Sequence, residues 1–158
     1  IQIESINACN LSDDQLKEAS TKCESAKSLF FGTNPTATSI KIANQGNSFT
    51  RPYGRVTVTR GSSEVFAYEL NNKEPRGVIL PGSTRVFTDK IENVNKLGKY
   101  TITTYLSHGK TGEIITKSVS FWYIPIWALL VIAAVIVGLI SLGVFIFMKL
   151  GKKRKSRK

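Results

Sequence analysis

Residues 127–148, WALLVIAAVIVGLISLGVFIFM, hold no charged side chain and one hydroxyl residue, Ser141. As a helix these 22 residues extend about 33 Å, at about 1.5 Å per residue, against a hydrocarbon layer of about 30 Å. A helix in a protein core would be shorter and polar along one side, whereas this run is apolar all round. The expectation is one membrane-spanning helix, so the remainder of the chain must fold outside the lipid.

The flanks of the run set its direction. Lys149, Lys152, Lys153, Arg154, Lys155, Arg157 and Lys158 follow directly, while the preceding side has only scattered charges. By the positive-inside rule residues 149–158 form a basic cytoplasmic anchor, and the body lies outside a cytoplasmic membrane. Attraction of these cations to anionic lipid is a second use for the tail, beside simple stop-transfer. The tail also accounts for most of the basic character: it takes seven of the 22 Lys and Arg, leaving 15 against 11 acidic residues, a net charge of +4 for the body. That body shows no basic stripe with interleaved aromatics, so nucleic acid is not expected as a partner and the lipid bilayer is. The chain opens on IQIESI, an alternating stretch that reads as a strand already under way. Residues 1–6 are therefore expected to belong to a preceding part, with an export signal further upstream.

Residues 36–123 read as strands. TSIKIAN puts Ile40 and Ile42 on one face, GRVTVTR does so with Val56 and Val58, and VFAYEL with Phe66, Tyr68 and Leu70. GVIL and TRVFT follow. Tyr100, Ile102, Thr104 and Leu106 then share a face, as do Val119, Phe121 and Tyr123. This period of two marks half-buried strands. NQGN, RGSS, NNKE, LPGS, NKLGK and SHGKTGE supply the turn residues. About seven short strands predict a mainly β fold, an Ig-like antiparallel β-sandwich, with an open barrel as the alternative. No B–F disulfide is available, because neither cysteine lies in this region.

Residues 7–35 differ. Ser12 with Gln15 forms a capping box ahead of good helix formers, predicting a short inserted helix of about three turns. Cys9 and Cys23 bracket it. A straight helix from Ser12 to Cys23 rises about 16 Å, and three extended residues from Cys9 return about 10 Å. The gap of about 6 Å is one a disulfide can close, and an extracellular setting favours the bond.

No catalytic constellation emerges. His108 is the only histidine and sits in a turn sequence, Asp13 and Asp14 suit the first turn of the helix, and Glu64, Glu69 and Glu74 are dispersed. An enzyme is not expected, nor a cofactor, and two cysteines with one remote histidine do not make a metal site. LPGST differs from a sortase signal at Ser83 and Thr84 and lies far from the apolar run. It reads as a turn, with Pro81 presetting φ and Gly82 taking the positive-φ place.

Residues 124–148 form the junction and span. Pro125 lacks an N–H, which ends strand pairing and suits the first helical turn. Trp122, Tyr123 and Trp127 are expected at the lipid head groups as an aromatic belt. Phe49 and Tyr53, in NSFTRPYG, are candidates for contact with a sugar or partner, with plugging of the sandwich end as the alternative.

The segments IANQGNSFTRPYGRVTVTR, GVILPGSTRVFTDKI and LGKYTITTYLSHGKTGEIITKSVSFWYIPIW, with the apolar helix and basic tail, form one pattern over about residues 36–150. It resembles the membrane-proximal Ig-like domain of bacterial cell-surface proteins related to the WxL-interacting family. Ile126 between Pro125 and Trp127, and the Cys-bracketed segment, are departures from that pattern. The resemblance implies a single-pass surface protein with its domain on the outer face of the cytoplasmic membrane. It implies a role in binding or display toward cell-wall polymer, another surface protein or a neighbouring cell. The alternative is a subunit of a membrane or secretion complex, with the β domain as spacer or lid.

Overall fold

The computed structural model describes residues 1–17, 23, 27–108 and 113–155. Within them the chain forms β1 (Gln2–Cys9), α1 (Asp13–Lys17), β2 (Leu29–Gly32), β3 (Ala37–Ala43), β4 (Tyr53–Arg60), β5 (Ser63–Leu70), β6 (Thr84–Lys90), β7 (Gly98–His108), β8 (Glu113–Pro125) and α2 (Ile126–Lys155). The strands form two sheets, ordered β1-β3-β6 and β2-β8-β7-β4-β5. Their inner faces meet in one core that includes Ile3, Ile6, Ile40, Ile42, Val56, Val58, Ile102 and Phe121. The order is that of an Ig-like sandwich whose first strand is shared between the sheets, β1 on one and β2 on the other.

The stretch IQIESI begins β1, which extends past residue 6 to Cys9 and pairs antiparallel with β3 from Gln2↔Ala43 to Cys9↔Ala37. The antiparallel sandwich stands as expected, with one further pairing, β2 parallel to β8. One expectation needs correction. GVIL forms no strand, and only Ile79 is paired, in an isolated bridge with Thr50. The capping box is present, with Ser12 N–H donating to Gln15 Oε1 at 2.9 Å and Gln15 N–H to Ser12 Oγ at 3.3 Å. The helix it starts is described as five residues, and the predicted continuation over 18–22 lies outside the described residues. His108 ends β7 opposite Glu113, with its side chain outside the described ones.

Alternation explains why these stretches are strands. Tyr100, Ile102, Thr104 and Leu106 are all buried, and each pairs with a residue on β4 and one on β8. At the LPGS turn Ser83 N–H donates to Leu80 O at 3.1 Å, and Gly82 has φ +67°, a left-handed conformation that glycine adopts most readily. Lys117 Nζ crosses from β8 to the other sheet and donates to Ile3 O at 3.0 Å and Glu4 O at 2.7 Å. These carbonyls stand at the β1 bulge, where register shifts between Ile3 and Ser5. A charge-assisted donor thus serves backbone groups that the bulge takes out of the ladder.

Gly54 has no room for a side chain, since a Cβ there would stand 1.9 Å from Tyr105 O. Gly54→Ala is expected to cost about 1–3 kcal/mol, read as a lowered denaturation midpoint, because the β4–β7 ladder must open to admit the methyl.

A polar network lies inside the sandwich. Thr38 Oγ1 donates to Asp89 O at 3.4 Å, so at 2.6 Å the Tyr68 hydroxyl is the donor to Thr38. Burial raises the Tyr68 pKa well out of the accessible range, so the donor persists. Burial also raises the Asp89 pKa above the ordinary carboxylate value, against a smaller opposing effect from Lys73. A raised acid binds a proton that the unfolded chain has already lost. Native stability therefore falls as pH rises from the unfolded value through the native one, and the full penalty stands above it. Asp89→Asn is expected to raise the denaturation midpoint at neutral pH and leave it unchanged below the unfolded pKa.

Candidate binding surface and helix joint

The registers divide the sandwich into two ends. At one end β8 passes into α2 with no intervening loop, flanked by the end of β2 and the start of β7. The loops 44–52 and 71–83 occupy the opposite end, since Tyr53 pairs with Ser107 and Ala43 with Thr84.

Two asparagines organise those far loops. Asn44, which is buried, donates through Nδ2 to Ser48 O at 2.8 Å and to Ile79 O at 3.1 Å. Its Oδ1 accepts from Gly46 N–H at 3.0 Å, an Asx turn. Asn71, at φ +56°, donates to Pro52 O at 2.6 Å and Gly77 O at 2.9 Å and accepts from Gly77 N–H at 2.7 Å. Each asparagine therefore links both loops and leaves little freedom between them.

Phe49 and Tyr53 stand on this frame, 60% and 45% exposed. They are not plugs. The Arg51 guanidinium lies over the Phe49 ring at 5.4 Å, and that of Arg76 over the Tyr53 ring at 4.7 Å. Glu74 holds Arg76 at 3.4 Å. Flat rings beside guanidinium groups suit a sugar face or an anionic polymer. Sequence reasoning found the two rings but missed Arg51, Arg76, Asn44 and Asn71. The signal for the asparagines was present in NQGN and NNKE, which it took only as turns.

The helix joint is built on an aromatic stack. Phe121 packs edge-on to Phe30 at 5.3 Å and stacks on Tyr100 at 5.6 Å, joining β2, β8 and β7. Pro125 is the last residue of β8, buried and aligned with Gly32. Trp122 and Trp127 are 50% and 56% exposed. Tyr123 corrects the expected belt: it is 6% exposed, and its hydroxyl donates to Gly32 O at 3.4 Å. Strand parity places it inward with Phe121.

Helix α2 carries one stretch long and apolar enough to cross a membrane, Ile126–Phe147. The hydroxyl in that stretch, on Ser141, donates to Gly138 O at 2.9 Å and is so satisfied within the helix. The helical backbone continues through Lys149, Lys152, Lys153, Arg154 and Lys155, while Arg157 and Lys158 lie outside the described residues. Cys9 and Cys23 are bonded, with Cα atoms 5.7 Å apart, and pack with Ala37, Leu11 and Leu16.

No family model matches the chain, and no curated protein does. Among solved structures it is similar to a chain of the CsuC–CsuE chaperone–tip adhesion subunit pre-assembly complex, from archaic chaperone-usher Csu pili of Acinetobacter baumannii. The identity is 14% and the TM-score 0.36, over 62% of this chain and 48% of that one. The match thus spans about half the length of its solved counterpart.

Phe30→Ala is expected to cost about 3–5 kcal/mol through the cavity it leaves. Limited proteolysis checks the local consequence: cleavage within residues 27–33 should accelerate before cleavage elsewhere.

Proposed function

We propose that this chain is a membrane-anchored extracellular Ig-like module of a bacterial cell surface, related to the WxL-interacting family, that binds at the cell envelope. Its N-terminal domain stands outside the cytoplasmic membrane and its basic C-terminus inside. The role is binding or display, without catalysis or cofactor. The observation that carries this reading is the far-end frame, where Phe49 and Tyr53 are exposed under guanidinium groups on loops pinned by Asn44 and Asn71. Preorganised aromatic groups lose little freedom on binding, which is what a contact surface requires. Support for the anchor comes from the apolar length of α2 and from the cations that follow it. Arg51, Lys73 and Arg76 stand on these loops against Glu74, which favours an anionic wall polymer over a neutral one.

Full-length protein in lipid nanodiscs should sediment with purified cell wall. The double variant Phe49→Ala, Tyr53→Ala is expected to lower that affinity by about tenfold or more, as loss of contact aromatics does. Removal of anionic polymer from the wall should weaken wild type and variant toward a common level. Equal binding by wild type and variant on intact wall would remove the far loops as the contact surface.

A further inference from the structure

The outward side of β2 is unlike an ordinary sandwich edge. Phe30 points into the core, while Leu29 and Phe31 point away and are exposed, Phe31 at 54%. They stand beside Trp122 and Ile124, their partners on β8, and Ile126 and Trp127 continue the apolar surface onto the helix. Four neighbouring exposed apolar side chains, Leu29, Phe31, Trp122 and Ile126, are unusual on a protein surface that faces only water.

We infer that this β2–β8 face rests in the lipid head-group layer of the membrane that α2 crosses, so the sandwich leans on the bilayer instead of standing upright. The inference rests on the anchored reading above. Its occupant follows from continuity, because the patch runs without a break into the apolar span. Geometry then dictates the lean. Trp122 precedes Ile126 by four residues, about 13 Å along a strand at about 3.3 Å per residue. The interfacial layer is only about 5–8 Å deep on each side of the hydrocarbon. An upright domain would leave Leu29 and Trp122 in water, whereas a tilted one brings both into the layer that indole rings prefer. Cations are suitably placed: Lys99 is exposed directly across from Trp122, and Lys27 is exposed just ahead of Leu29. Long amines beside apolar rings reach lipid phosphates while their stems stay in the interface.

The chain has two tryptophans, one on the sandwich and one on the helix, which allows a direct test. Full-length Trp127→Phe and Trp122→Phe variants are reconstituted in phosphatidylcholine–phosphatidylglycerol vesicles containing lipid brominated near the head group. Quenching of both remaining tryptophans, by about twofold or more as expected for rings at the interface, supports the lean. Adding Leu29→Ser and Phe31→Ser to the Trp127→Phe chain should then return Trp122 to aqueous iodide quenching. The same two changes in the Trp122→Phe chain should leave Trp127 as it was. Quenching of Trp127 alone overturns the lean and leaves the anchor standing. Quenching of neither removes the anchored reading and the lean together.

Discussion

The contact among Phe30, Phe121 and Tyr100 governs how this molecule is held together at its helix end. Phe121 sits four residues before Pro125, on the strand that becomes α2 without a loop. That strand is paired on both sides, with β7 and β2, as far as Tyr123 and with β2 alone at Ile124 and Pro125, so a hinge between domain and helix is confined to the last two residues of β8. Ring packing of this kind adds about 0.5–1.5 kcal/mol per pair beyond the area it buries. That addition keeps the four-residue β2 seated, although a strand so short has few ladder bonds of its own. The buried Tyr123, donating to Gly32, closes the same joint from the lower side. The position at which the helix leaves the sheet is thus set by the core.

The two ends of the sandwich use different means to the same effect. At the helix end stiffness comes from rings and strand pairing. At the far end, beside the buried Leu70, Ile79 and Leu106, buried or half-buried amides hold the loops, each satisfying several backbone groups. Such networks are rigid because every lost partner would leave a polar group unpaired in a desolvated place. Tyr68, Thr38 and Asp89 show the opposite balance, for there a carboxyl is held where its ionisation is disfavoured. A rigid far end and a stiff joint together fix the position of Phe49 and Tyr53 relative to the helix.

Much of this was legible in the chain. Period two placed Val56, Val58, Tyr100, Ile102 and Leu106 inward, and the Gly, Asn and Pro clusters placed the turns. Strand β2 was not legible, because four residues carry no periodicity and its parallel partner is about ninety positions away. Such pairing is fixed by tertiary contact, not by local propensity. GVIL failed for a related reason: Ile79 is buried, but the carbonyls of Gly77, Val78 and Ile79 accept from Asn71, Arg85 and Asn44 instead of joining a ladder. Tyr123 carried two signals, aromatic at a membrane junction and inward by parity with Phe121, and parity prevailed. At the candidate surface the rings were visible as residue types. Their guanidinium partners were not, because Arg76 reaches Tyr53 only after the chain has returned through β5.

The disulfide takes its meaning from the split first strand. β1 leaves one sheet at Cys9 and β2 joins the other at Leu29, so the intervening 19 residues must carry the chain across the sandwich. Left open, a connection of that length is a long tether for a four-residue strand. The Cys9–Cys23 bond shortens the effective connection to the five residues between Cys23 and Leu29. The entropy of closing a loop grows with the logarithm of its length, so this shortening favours docking of β2 by about 1 kcal/mol. That is comparable to one aromatic contact in the stack that β2 completes. The bracketed segment can therefore be inserted at the strand crossover with little penalty, because its own length is removed from the closure on which the helix joint depends.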